Sequence, residues 1–137
     1  MKKFETERRV MYYETDAMGV VHHSNYIRMF EEGRTDLMRQ IGYPYAEMEK
    51  MGIWLPVRAV TCQYKIPAVY DDVLVIRSWV GQLKGVTMTV YYEIVKKETK
   101  ETVVTGSSSH GFTDTELKPV RLKRDYPEIY ERFHSIV

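Results

Sequence analysis

The chain predicts one α+β domain in which a long amphipathic helix covers an antiparallel sheet. Three observations carry this expectation. A helical pattern from about Ser24 places Tyr26, Phe30, Gly33 and Leu37 on one face, flanked by Ile27, Met38 and Ile41. Four β-rich stretches follow, joined by short turns rather than helices, so there is no βαβ alternation to support a parallel sheet. An antiparallel sheet must bury one apolar face, and the long helix is the natural cover for it.

The elements follow in order. Residues 4–13 end in the β-prone Val10-Met11-Tyr12-Tyr13, and the polar Glu14-Thr15-Asp16 stops them before a turn at Gly19. On the helix, Arg28, Glu32, Asp36 and Arg39 point away from the apolar face. Gly33 lies on that face in mid-helix, at a cost of about 1 kcal/mol relative to Ala, which predicts a sheet surface packed close against it. Gly42 closes the helix. Tyr43-Pro44 opens a second, shorter helix over Tyr45 to Met51, ended by Gly52. Trp54 to Ile66 and Val73 to Leu83 read as strands. After a turn at Lys84-Gly85, the stretch Val86 to Val95 alternates, with Val86, Met88, Val90, Tyr92 and Ile94 on one side. The charged run Lys96 to Glu101 is the next connection, Thr102 to Thr113 the last long strand, and the tail from Tyr126, opened by Pro127, a terminal helix. Repeats, low-complexity segments and linkers are absent, so residues 1–137 are expected to form a single domain.

Bulk properties exclude several functions. Lys plus Arg exceed Asp plus Glu by only 20 to 19, so no global field draws the chain to nucleic acid or acidic membranes. The N-terminal Met-Lys-Lys-Phe-Glu has no apolar run, so no signal peptide is expected. No window approaches the roughly 18 apolar residues of a membrane span. One cysteine, Cys62, cannot make an internal disulfide and reads as a buried thiol in a strand, not a nucleophile. A cytoplasmic protein is expected. Eleven tyrosines and eight methionines serve either an ordinary core or an adaptable pocket or interface.

Chemistry concentrates at the joint between the first strand and the long helix, Tyr12 to Tyr26. Asp16 precedes the helix by about eight residues, with Gly19 allowing the chain to turn back. If the loop folds over the helix start, the carboxylate and the free N–H groups near His23 and Ser24 face one point, where they can activate water and hold an oxyanion. The competing reading makes Asp16 a solvated residue or a cap for its own turn. His22 and His23, with Glu14 and Asp16 nearby, raise the question of zinc. Neighbouring histidines in extended chain point opposite ways and no further pair supports them, so no metal is expected. His110 and His134 look isolated. Glu31 and Arg34 are placed for an i,i+3 ion pair.

The joint resembles a known signature. Tyr12-(x)3-Asp16-(x)2-Gly19-Val20-Val21-(x)-His23-(x)-Asn25-Tyr26 is similar to that of the 4-hydroxybenzoyl-CoA thioesterase-like hotdog proteins. It is nearest to their bacterial acyl-CoA thioesterase branch, which includes the Tol–Pal-associated thioesterases. The likeness continues through Phe30-Glu31, Arg34, Tyr64-(x)2-Pro67-Ala68-(x)2-Asp71-Asp72, Lys84-Gly85 and Lys118-Pro119-(x)-Arg121, covering residues 8 to about 124. It implies a hotdog fold, with a long central helix wrapped by a five- or six-stranded antiparallel sheet. It also implies a homodimer at minimum, commonly a homotetramer, with active sites at subunit interfaces.

The resemblance makes Asp16 the catalytic acid, as nucleophile through a mixed anhydride or as general base. The His23 backbone N–H becomes the donor to the thioester carbonyl and its imidazole a catalytic group, and Tyr12 a third catalytic residue. Gly19, Val20, Asn25 and Tyr26 would shape the binding joint. Lys84, Gly85, Lys118 and Arg121 are candidates for coenzyme A, whose phosphates suit Lys and Arg. Coenzyme A belongs to the substrate, so no separate cofactor is implied. The leading expectation is an acyl-CoA thioesterase; the alternatives are a hotdog enoyl-CoA hydratase or dehydratase, or a non-catalytic acyl-CoA-binding protein. The acyl group itself is not legible.

Overall fold

A computed structural model describes residues 1–137. Five strands form one antiparallel sheet: β1 (Phe4–Arg9), β2 (Val57–Tyr64), β3 (Val73–Lys84), β4 (Thr87–Lys96) and β5 (Thr102–Gly111), ordered β1-β3-β4-β5-β2. The long helix α1 (Ser24–Gln40) crosses the inner face, and the short α2 (Tyr45–Lys50) follows it. Two C-terminal helices, α3 (Leu122–Asp125) and α4 (Pro127–His134), close one end, where Phe133 packs on Phe112 and Arg132 donates to the Ile41 carbonyl at the end of α1. No helix is long and apolar enough to cross a membrane.

The apolar faces meet as the patterns predict. Tyr26, Phe30, Gly33 and Leu37 are buried, as are Met88, Val90, Tyr92 and Ile94 on β4. Phe30 stacks flat on Tyr92, with ring centroids 4.4 Å apart and planes 6° from parallel. At Gly33 the approach is closest, since a Cβ there would lie 2.7 Å from Ile76 Cγ2 on β3. Ile27 departs from the pattern. It is 42% exposed, while Met29 is fully buried, so the buried stripe is rotated slightly from the one the sequence suggested.

Two local expectations fail. The first strand ends at Arg9, and Tyr12–Glu14 wind into a single 3-10 turn whose Glu14 carboxylate accepts from the Met11 N–H at 2.8 Å. Arg34 does not pair with Glu31. Its guanidinium turns inward and donates to the Tyr92 hydroxyl at 3.1 Å. The i,i+3 spacing allowed the surface pair, but the sheet beneath offered a buried partner that spacing along one helix cannot reveal.

From Tyr92 the polar chain continues through the core. The Tyr92 and Ser108 hydroxyls lie 2.6 Å apart, Ser108 Oγ is 2.6 Å from His110 Nε2, and His110 Nδ1 is 3.4 Å from the Leu55 carbonyl. Arg34 can only donate and the Leu55 carbonyl can only accept, and between those two ends one arrangement gives every hydroxyl proton an acceptor. Tyr92 donates to Ser108, Ser108 to Nε2, and Nδ1–H to Leu55. Only a neutral His110 satisfies the chain. Burial, with Arg34 nearby, pushes the His110 pKa down to about 4.

Two measurements check these contacts. Gly33→Ala should destabilise the fold by about 1–3 kcal/mol in chemical unfolding, because Ile76 is packed on both sides and has little room to yield. His110 binds a proton more readily unfolded than folded. Its contribution is therefore complete above about pH 6.5 and is lost as pH falls toward about 4, by about 3 kcal/mol in total. His110→Gln should flatten the stability profile between about pH 6.5 and 5, where few carboxylates titrate.

Candidate active site

The joint folds into a small hairpin. Thr15 bridges antiparallel to Val21, the Asp16 N–H donates to the Val20 carbonyl at 2.9 Å, and the His22 N–H donates to the Glu14 carbonyl at 2.8 Å. Gly19 closes its tip at φ +80°, a conformation glycine adopts without strain, and the Gly19 N–H donates to the Asp16 carbonyl. The second arm is tied down by a Val20–Val69 bridge and by Val21 N–H donating to Ala68 O. It then runs into α1 at His23.

This hairpin brings Asp16 and His23, seven residues apart in sequence, to one cleft of ≈ 290 Å³. Met18, Val20, Val21, Tyr26, Tyr64, Ile66 and Pro67 also line it. Asp16 partly matches both readings of the sequence. Its Oδ1 caps the turn by accepting the Met18 N–H at 2.9 Å, and Oδ2 has no partner within the chain. One oxygen holds the carboxylate in place while the other remains free. The His23 N–H has no acceptor within the chain.

Ser24 differs from expectation, because its N–H donates to His22 Nδ1 at 3.2 Å, and the Ser24 hydroxyl lies 2.8 Å from the same nitrogen. His22 therefore caps the helix start. The two histidine rings do not point opposite ways. They stack at 4.2 Å with planes 30° apart, because the chain is already turning into the helix. No three His, Cys, Asp or Glu side chains gather as metal ligands.

The other expected residues divide. Val20 and Tyr26 line the cleft, and the buried Tyr26 hydroxyl accepts the Ala68 N–H at 3.4 Å. Asn25 does not face the cleft. Its amide donates to the Glu14 carbonyl at 2.9 Å and secures the helix start to the hairpin. Gly19 shapes the tip but lies outside the cleft lining. Tyr12 is 76% exposed, its ring edge-on to Tyr70, and within one chain it is not part of the cleft. Cys62 packs partly buried against the core, and burial raises its thiol pKa, as expected of a structural cysteine.

Arg121 approaches the Lys84-Gly85 turn from far along the sequence. A Cβ on Gly85 would lie 3.8 Å from the Arg121 guanidinium, and Lys84 ends β3 beside this turn. Lys118 is engaged with Glu116 at 3.3 Å on the surface. The turn sits at the opposite end of the sheet from the cleft. Thr87 pairs with Gly111 and Val57 with His110, so the turn neighbours the start of β2, whereas Tyr64, at the end of β2, reaches the His23 carbonyl at 3.3 Å. Sequence reasoning missed Glu14, whose buried carboxylate meets Arg8 at 2.7 Å. An acid among tyrosines was the available signal.

The sequence matches the thioesterase-like superfamily over residues 10–133. The chain belongs to that superfamily. Within it, the acyl-CoA thioester hydrolase YbgC of Escherichia coli O157:H7 is 32% identical over 66% of this chain and 67% of its own. A DHNA-CoA thioesterase structure from Staphylococcus aureus superposes with a TM-score of 0.93 at 34% identity, covering 98% of this chain and 91% of that one. A 4-hydroxybenzoyl-CoA thioesterase structure, at 17% identity and a TM-score of 0.83 over 94% and 99% of the two chains, shares the fold. The long helix wrapped by five antiparallel strands is the hotdog fold of these thioesterases.

Proposed function

We propose that this chain hydrolyses acyl-CoA thioesters to a free acid and coenzyme A, with Asp16 as the reacting carboxylate. One observation carries the assignment: a held but half-free carboxylate and a helix-start residue with an unpartnered N–H line one cleft. Membership of the thioesterase-like superfamily supports the reaction class.

The chemistry follows from those two groups. The thioester carbonyl accepts the His23 N–H, which strengthens as its oxygen gains charge. As general base, Asp16 takes a proton from water while the water oxygen adds to the carbonyl carbon; as nucleophile, Asp16 adds directly and water cleaves the resulting anhydride. By either route the C–S bond breaks, and the departing thiolate takes a proton. The His23 imidazole has no hydrogen bond within the chain and stands edge-on to Tyr64, free to serve the leaving group. Tyr12, exposed within one chain, would act only on a substrate or chain reaching it from outside.

A second copy completes the reading. The sheet has two edge strands, β1 and β2, and along β2 Val57, Val60 and Tyr64 are exposed. An exposed apolar edge strand invites pairing. The basic turn at Lys84, Gly85 and Arg121 lies seven residue steps from the cleft along β2, or about 23 Å. Antiparallel pairing of two β2 strands about a two-fold axis would reverse that separation and bring the partner's basic turn beside Asp16. We place the coenzyme A phosphates there, so that each site draws on two chains in a homodimer or a larger homo-oligomer.

Asp16→Asn is nearly isosteric and should lower kcat at least ~100-fold in a thiol-release assay while the melting temperature changes little. Full activity would remove Asp16 from the mechanism. The same assay separates hydrolysis from enoyl-CoA hydration, which releases no thiol, and from binding alone. Arg121→Ala should raise KM for acyl-CoA roughly 10-fold with kcat preserved, as the loss of a charge-assisted phosphate contact predicts. A pantetheine thioester lacking the phosphates should show no such change.

A further inference from the structure

Glu14 is the one buried carboxylate of the chain, 5% exposed, and both its side chain and its main-chain carbonyl are tied to neighbouring elements. One carboxylate oxygen, Oε1, accepts both from Arg8 Nη1 at 2.7 Å and from the Met11 N–H at 2.8 Å. Its carbonyl accepts from the His22 N–H at 2.8 Å and from Asn25 Nδ2 at 2.9 Å. Arg8 comes from β1 and also reaches Glu32 on α1 at 3.2 Å, while Asn25 belongs to the first turn of α1. Strand, hairpin and helix are therefore joined through one residue.

That residue stands at the base of the hairpin whose two arms carry the proposed reacting groups. Across the hairpin Glu14 faces His22. Two residues beyond Glu14 on one arm stands Asp16; one residue beyond His22 on the other stands the His23 N–H. Glu14 itself is not part of the cleft. Burying an ion pair contributes little net stability compared with packed apolar side chains. What it does supply is a fixed position, because a charged and a backbone donor converge on Oε1 while two further donors hold the carbonyl of the same residue.

We infer that Glu14, held by Arg8 and Asn25, is a positioning residue for thioester hydrolysis, fixing the separation of the Asp16 carboxylate and the His23 N–H. The inference rests on the reading of Asp16 as the reacting acid. Shifting either group by about 1 Å is enough to cost up to ~100-fold in rate. Substrate binding depends on the cleft walls and the basic turn, which Glu14 does not touch, so KM is insulated from the change.

The test is a double-mutant cycle read by thiol release from acyl-CoA, with thermal unfolding to confirm that each variant is folded. Glu14→Gln keeps the side-chain volume but weakens the bond to Arg8. It should lower kcat roughly 10- to 100-fold and leave KM within about 2-fold. In an Asp16→Asn background the same substitution should cost far less, because there is no longer a carboxylate to position. An equal fold-loss in both backgrounds, or a folded Glu14→Gln with unchanged kcat, overturns the inference. Asn25→Ala removes only the bond from the helix side. It should show the same kcat-selective loss through the Glu14 main chain, and if Glu14→Gln fails to fold, a folded Asn25→Ala with unchanged kcat overturns the inference. Full activity of Asp16→Asn overturns the reading of the acid and the inference with it. An inactive Asp16→Asn beside an unaffected Glu14→Gln overturns the inference alone.

Discussion

The structure depends on one contact, the close seating of α1 on the sheet at Gly33 and Phe30. With no side chain at Gly33, the helix backbone approaches β3 closely enough for Ile76 to fill the space. One turn earlier, Phe30 lies flat on Tyr92 of β4. These contacts set the height and angle of the helix. The height decides whether Arg34 reaches Tyr92, and so whether the buried chain through Ser108 and His110 can form. The angle decides where the N-terminal turn of α1 emerges, and so where the His23 N–H points.

The candidate joint is built on that fixed helix as a short hairpin whose only buried apolar side chain is Val21. Its hairpin is held by backbone bonds and by polar clamps at each end: Glu14 with Arg8 and Asn25 on one side, Val21 on Ala68 on the other. A loop that carries a reacting group gains precision only from the rigid elements it is tied to. Here the ties run to β1, to α1 and to the segment leading into β3. Loop and scaffold are therefore one mechanical unit, although the hairpin tip, Ala17 to Gly19, is exposed.

Much of the fold was legible in the residues because burial imposes a period. The buried faces of α1 and β4 could be read from Tyr26, Phe30 and Leu37, and from Met88, Val90, Tyr92 and Ile94, since each element has one face toward the core. Gly33 was legible as a close approach because it is costly in mid-helix without one. Tyr12 and Tyr13 were misread as strand. Their β propensity yields to the Glu14 carboxylate, which draws the Met11 N–H into a tight turn. Arg34 and His110 were misread for another reason: the partners of a polar side chain in a core come from elements remote in sequence.

By itself the sequence determined the α+β class, the order of elements and the polar joint before the long helix, because these follow from local periodicity and from the residue types a turn and a helix start require. Only the tertiary structure decided what that stretch does with its residues. It freed the His23 N–H while His22 occupied that of Ser24, gave Asn25 to Glu14 instead of the cleft, and set Gly85 beside Arg121 at the far end of the sheet. The physical reason is that hydrogen bonds are shared out by distance in space. A buried donor or acceptor takes the nearest available partner, and its place in the sequence does not say which partner that will be.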